Sequence, residues 1–204
     1  MPPGETIQVR ASRFEQNGQV MFAGVMNSSA IMRIADVDVR DERTNSGGYQ
    51  RYRDEARCRR IAEFINQPTS ALPGSILLNL RGSAVFVSDS EDSAHGTLLI
   101  PTRKGAAWIV DGQHRIGGFE YTERELILPV VFFENLPRRQ EMDNFRIIND
   151  TQKGVNTSLT LSLLGELREG AESWKIQAHD IVYRLNRDPD SPWLERINMT
   201  GAKG

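Results

Sequence analysis

Five consecutive residues, Asp111-Gly112-Gln113-His114-Arg115, follow an apolar run (Ala106–Val110) and precede an amphipathic segment holding Ile116 and Phe119. That order predicts a buried strand, a tight turn at glycine and a helix. Such a bend gathers backbone N–H groups and the positive end of a helix at one point, which suits a phosphate. Arg115 adds a charge-assisted contact, and Gln113 and His114 add further donors. Phosphoryl chemistry needs charge neutralisation more than covalent help, so Asp111, His114 and Arg115 are the candidate catalytic residues. Asp111 would orient the loop or act as base. Gly117 and Gly118 each cost a helix about 1 kcal/mol relative to alanine, a cost that a closely packed neighbour would explain. A plain structural account stands beside this one: a capped strand–turn–helix with a solvated His/Arg pair.

A second concentration of chemistry is cationic. Arg51, Arg53, Arg57, Arg59 and Arg60 fall within ten residues, against Asp54 and Glu55. Cys58, Ile61, Ala62 and Ile65 form an i, i+3, i+4, i+7 stripe, which predicts a helix over 54–66. Arg53, Arg57 and Arg60 share another face and are the candidate DNA-binding residues, on the expectation that phosphate contacts release counterions. A solvated helix with i,i+4 pairs is the alternative. Gln50 and Arg51, at the mouth of this helix, are placed to reach the same phosphate as Arg115. Cys58 lies on the apolar stripe and reads as packing.

The other elements must position these groups. Thr6–Phe14 and Gln19–Met26 flank an Asn17-Gly18 turn and predict a hairpin. Ile31–Val39 alternates in part and predicts a third strand of an N-terminal β meander. Arg40–Gly48 reads as a polar linker with Gly47-Gly48 as a flexible joint. Ser75–Arg81, Ala84–Ser88, Thr97–Ile100 and Leu126–Phe133 read as strands, and Asp89–Ser93 as a loop. Pro137 opens a helix to about Asn149, with Met142, Phe145 and Ile148 inward. Thr157–Arg168 and Ser173–Arg187 read as helices, before a breaker at Asp188-Pro189-Asp190-Ser191-Pro192. The expected class is α+β, with a domain over 1–155 and a helical extension over 156–204.

Composition narrows the function classes. The chain has 204 residues and a net charge of −2, so nucleic-acid binding requires a local patch rather than a polycation. Of its 25 cations only four are lysines; arginine suits bidentate recognition of phosphate, and a GC-rich genome would give the same bias. No run approaches the roughly 20 apolar residues of a membrane span, and no secretory leader is evident, so no membrane partner and a cytoplasmic location are expected. A single cysteine excludes an internal disulfide framework. His95 and His179 have no metal-spaced partners and read as structural, so no metal ligand is assigned. Walker A, Gly-x-Ser-x-Gly and His-Glu-x-x-His sequences are absent.

The pentapeptide Asp111–Arg115 resembles the signature of the DGQHR-domain family, which includes DndB-like proteins of bacterial DNA-modification systems. Gly48-Tyr-Gln-Arg51, with the following arginine helix and Leu72-Pro-Gly-Ser-Ile76, is similar to the family's upstream block. Phe145-Arg-Ile-Ile-Asn-Asp-Thr-Gln-Lys-Gly154 is similar to its downstream block. The resemblance covers 48–154 and implies a ParB/sulfiredoxin-like mixed sheet, in which a loop of this type grips nucleotide phosphates. It implies ATP or another nucleotide, with Mg2+, its phosphates cradled by Gly112, Gln113, His114 and Arg115, the same phosphate that Gln50 and Arg51 are placed to reach. Asn149, Gln152 and Lys153 would take the place of the ParB Glu-Asn-x-x-Arg motif. Here the spacing is one residue longer and Ile148 stands where the glutamate would, leaving Asp150 as the substitute. The sulfiredoxin cysteine has no counterpart, since Gln113 occupies its place in the loop. Two functions are implied: a nucleotide-binding component, an ATPase, of a DNA-modification or defence system, or a DNA-binding repressor of a phosphorothioate modification operon. DNA, other DNA-modification proteins and a second copy in a homo-oligomer are the implied partners.

Overall fold

Asn17 and Gly18 take positive φ values of 50° and 76° and close a two-residue hairpin between β1 (Thr6–Gln16) and β2 (Gln19–Asn27). Two left-handed residues match the right-handed twist of the strands they join. The structure is a computed structural model and describes residues 5–91, 93–151 and 173–199. The chain divides into two compact units, Met1–Asp150 and Thr151–Gly204.

In the first unit the hairpin lies inside a mixed eight-stranded sheet. The further strands are β3 (Ala35–Asp36), β4 (Ile76–Asn79), β5 (Val85–Ser88), β6 (His95–Pro101), β7 (Ala107–Asp111) and β8 (Ile127–Phe133). Their order across the sheet is β3-β7-β4-β8-β2-β1-β6-β5. Two neighbouring pairs are parallel, β3 with β7 and β4 with β8. The architecture is α+β.

Adjacent residues on a strand point to opposite faces, and both faces are covered. On one, Phe22, Leu78, Ile109 and Phe132 pack with Ile31 and Ile34 of α1 (Ser28–Ile34), Ile65 of α2 (Glu55–Ile65), and Ile116 and Phe119 at and after α3 (Gln113–Gly118). Their neighbours Met21, Leu77, Val110 and Phe133 form a smaller cluster with Leu136 and with Phe145 of α4 (Arg138–Thr151). Each side chain fully removed from water contributes about 1.5–3 kcal/mol.

Three expectations are corrected. Ile31–Val39 is not a strand: α1 runs through Ile34, and only Ala35–Asp36 pair with β7. Ile31 and Ile34, three apart, are both fully buried, a helical spacing. Nor is Arg40–Gly48 a loose linker. The Asp41 carboxylate accepts the N–H groups of Arg43 and Thr44 at 2.8 and 3.0 Å, and Asn45 bonds the buried Asp38 at 2.8 Å. A Cβ at Gly48 would stand 2.1 Å from the Val39 carbonyl, so that glycine marks a close approach rather than a joint.

The inner face of α4 also differs. Met142 is exposed, whereas Glu141 is fully buried. Its carboxylate accepts from Tyr49 Oη at 2.5 Å, Asn79 Nδ2 at 2.6 Å and Arg81 Nη2 at 2.8 Å. The helix therefore meets the sheet through a satisfied charge as well as through Phe145, which packs edge-on to Tyr49.

In the second unit α5 spans Ser173–Leu185. The segment after it folds back on Asn186, whose side-chain oxygen accepts the Ile197 N–H at 2.9 Å, and Arg187 stacks on the Tyr183 ring. The expected helix Thr157–Arg168 lies outside the described residues.

Candidate nucleic-acid interface

β7 ends at Asp111, and Gly112 turns the chain with φ +104° into α3. Glycine is needed twice over: the dihedral disfavours L side chains, and a Cβ would stand 2.7 Å from Ile76 Cδ1. The strand–turn–helix expected around the pentapeptide is therefore present.

Its side chains separate after the turn. Arg115 folds back: Nη2 donates to Asp111 Oδ2 at 2.6 Å and Nη1 to the Gly74 carbonyl at 2.5 Å. Both members of the pair are about three-quarters buried. His114 is buried, and its Nε2 accepts the Asp54 N–H at 3.1 Å, so the neutral ring carries its proton on Nδ1. Burial, then the guanidiniums of Arg57 and Arg51, hold this imidazole below the ordinary histidine pKa. Gln113 is also buried, and its Oε1 has no donor among the described residues.

α2 packs directly on α3. Asp54 caps α2 by accepting the Arg57 N–H at 3.0 Å, and the same residue's N–H binds His114. Gly117 and Gly118 permit the approach: Cβ atoms there would stand 2.8 Å from Cys58 Sγ and 2.7 Å from Ile61 Cγ2. This is the close neighbour that the two helical glycines called for. Cys58 is fully buried and its thiol pKa is raised by desolvation, so it packs, as its stripe position predicts.

The arginines divide into two groups. Arg53 is bidentate to Glu120 at 2.7 and 2.6 Å and reaches Glu55 at 3.3 Å; its pKa is raised, chiefly by the Glu120 bond. Arg59 lies over the Tyr121 ring at 4.4 Å. Arg51, Arg57 and Arg60 are exposed, and their guanidiniums make no hydrogen bond or ion pair among the described residues. They surround the amino end of α2, close enough for Arg57 and Arg51 to act on His114 and for Arg60 to act on Asp54.

Two further predicted site residues, Gln50 and Asn149, make bonds elsewhere. Gln50 is buried, and its Nε2 donates to the Ile109 carbonyl and to Tyr49 Oη. Asn149 is exposed and bonds the Phe145 carbonyl of its own helix at 2.7 Å. Gln152 and Lys153 lie outside the described residues. Of the groups expected to hold a nucleotide, Arg115 bonds Asp111 and the Gly74 carbonyl, and Asn149 bonds its own helix. Among the described residues no group of three or more His, Cys, Asp or Glu side chains could hold a metal ion. Sequence reasoning missed Glu120 as the partner of Arg53, and Gly74 as the acceptor for Arg115; neither carries a local signal.

Fold and surface together define an α+β domain with an exposed arginine cluster built onto a strand–turn–helix motif. The DndB family model, described as DNA-sulfur modification-associated, matches residues 9–172, and the chain belongs to that family. It is thereby a component of DNA-sulfur (phosphorothioate) modification, in agreement with the resemblance carried by residues 48–154. No curated protein and no solved structure shows a significant match. No helix among the described residues is long and apolar enough to cross a membrane.

Proposed function

We propose that this DndB-family chain is a DNA-binding regulator of a phosphorothioate modification operon, holding the duplex backbone on Arg51, Arg57 and Arg60. The carrying observation is that these three guanidiniums are exposed and, among the described residues, unpaired at one end of α2, while Arg115 is occupied by Asp111 and Gly74. An unpaired guanidinium supplies bidentate donors for phosphate without first breaking an internal bond. In this reading the domain is of the ParB/sulfiredoxin-like kind. Its pentapeptide braces α2 against the sheet rather than cradling phosphates, and the chain acts beside the other proteins of the modification system.

The test is fluorescence anisotropy with duplex from the region upstream of its own operon, across a range of salt concentrations. Replacing both Arg57 and Arg60 by alanine is expected to weaken binding about tenfold or more and to flatten the log–log salt slope by roughly 0.9 per lost contact. Unchanged affinity and slope would overturn the assignment. ATP-dependent thermal stabilisation that vanishes in Arg115→Ala would instead favour the nucleotide-binding function with ATP and Mg2+.

A further inference from the structure

The two ends of the sheet differ. At one, β3 is only two residues long. At the other lies β5, the four residues Val85-Phe86-Val87-Ser88, paired with β6 on one side and with no described strand on the other. Edge strands are ordinarily blunted by charge, proline or a bulge, because their open N–H and C=O groups invite pairing. β5 carries none of these. Val85 and Val87 stand out from it 61% and 51% exposed, while Phe86 turns inward and packs on Phe22 with ring centroids 5.0 Å apart.

The backbone pairing fixes which groups are open. In an antiparallel pair, alternate residues direct both N–H and C=O to the same neighbour. Just past β5 the Asp89 N–H donates to the His95 carbonyl at 2.9 Å, and a Cβ at Gly96 would stand 2.3 Å from the Val87 carbonyl. Val85, Val87 and Asp89 therefore face β6. Ala84, Phe86 and Ser88 turn their N–H and C=O groups to the open side, where no described backbone group meets them.

A second copy of this edge is its complement. A two-fold axis normal to the sheet joins two such edges antiparallel with like faces together. The register that sets Phe86 opposite itself also sets Ala84 opposite Ser88, so each open residue gains a reciprocal pair of bonds. It sets Val85 opposite Val87 as a non-hydrogen-bonded pair, the closer kind, in which β-branched side chains pack well. The charges agree. Val85 lies beside Leu99, so Arg103, beyond β6, stands at the amino end of β5, and Glu91 follows its carboxyl end. Both are exposed and make no ion pair among the described residues. The two-fold brings Glu91 of each copy level with Arg103 of the other, two strand spacings or about 10 Å away, within reach of two long side chains.

We propose that β5 is a self-association edge, at which two copies of this chain join antiparallel about Phe86 into one continuous sheet. Contact through one short strand is small beside the roughly 1,200–2,000 Å2 of a standard interface, so the dimer forms and dissociates with concentration. It does not rest on the DNA-binding reading.

Sedimentation equilibrium of the whole chain, from micromolar to near-millimolar concentration, is expected to show monomer and dimer. Val87→Lys, a change at an exposed position, should weaken the dimer about tenfold or more by placing a charge in the strand pairing, with circular dichroism unchanged. Glu91→Arg should weaken it at low salt, and adding Arg103→Glu to the same chain should restore it. Cysteines read the register. With oxidised glutathione, a Val85→Cys chain mixed with a Val87→Cys chain should give a disulfide-linked dimer, and neither should do so alone; Cys58 is fully buried and stays out of the reaction. A monomer at every concentration, a dimer indifferent to both Val87→Lys and Glu91→Arg, or a Val85→Cys chain that links to itself as readily as to Val87→Cys would overturn the proposal.

Discussion

Asp111 and Arg115, the first and last residues of the pentapeptide, are joined to each other across one helical turn, Nη2 to Oδ2 at 2.6 Å, while the other Nη reaches the Gly74 carbonyl. One guanidinium thereby ties the end of β7 and the start of α3 to the segment that leads into β4. A motif rich in anion-binding groups is used here to hold three pieces of chain together.

Arg115→Ala leaves a partly buried carboxylate and a carbonyl without their donor. Loss of a charged hydrogen-bonding partner costs about 1.5–3 kcal/mol, so urea denaturation should show a fall of that size. Arg115→Lys should restore only part, because one ammonium lacks the planar fork that serves both acceptors.

Gly112→Ala combines a disfavoured dihedral, about 1–3 kcal/mol, with a 2.7 Å contact to Ile76. Gly18→Ala is the control: it shares a positive φ, but nothing lies within 4 Å of its Cβ. The first substitution should lower the melting temperature clearly more than the second.

His114 titrates below its unfolded value because burial and two guanidiniums oppose its charge. Between the depressed native pKa and about 6.5 the unfolded chain binds more protons, so stability rises with pH in that window. It is complete above the unfolded pKa and is lost as pH falls towards the native one, where protonation also breaks the bond from the Asp54 N–H. Melting curves from pH 7.5 downwards should show this slope, and His114→Gln should flatten it. In Arg57→Ala the imidazole pKa, followed by NMR, should move up.

Glu141 is fully buried against Tyr49, Asn79 and Arg81. Glu141→Gln removes the charge from a buried pair and should cost about 3 kcal/mol. Tyr49→Phe removes one donor to that carboxylate and should cost about 1.5–3 kcal/mol. Chemical denaturation measures both.

Arg53 and Arg57 separate stability from recognition. Arg53→Ala, which strips Glu120 of its partner, should lower stability and leave the salt slope of DNA binding nearly unchanged. Arg57→Ala should do the reverse, with a melting temperature close to that of the parent chain.

Local chemistry was readable where neighbours in sequence decide the structure. Asn17-Gly18 marks the hairpin, the Cys58–Ile65 stripe marks α2, and the apolar run ending at Asp111-Gly112 marks the turn of the motif. The seven residues of α1 are too few to show a period, and the three-residue spacing of Ile31 and Ile34 is the one helical signal they carry. On α4, Met142, Phe145 and Ile148 form as regular a stripe as the real inner face. Glu141 is chosen instead because Arg81 and Tyr49, 60 and 92 positions away, meet it there. The same distance hid the pairing of Arg53 with Glu120 and hence the division between bound and free arginines. The Asp111–Arg115 pair is different: its four-residue separation was in view, and a carboxylate one turn from an arginine is itself a signal of mutual occupation.

The hairpin of β1 and β2, Thr6 to Asn27, occupies the fifth and sixth places in a row of eight strands, with β8 on one flank and β6 on the other. Both flanking strands emerge from the ribosome long after it does. Until then its two outer rims are bare, which slows assembly and invites mispairing. Removal of β1 and β2 would consequently split the sheet down its middle rather than trim an edge.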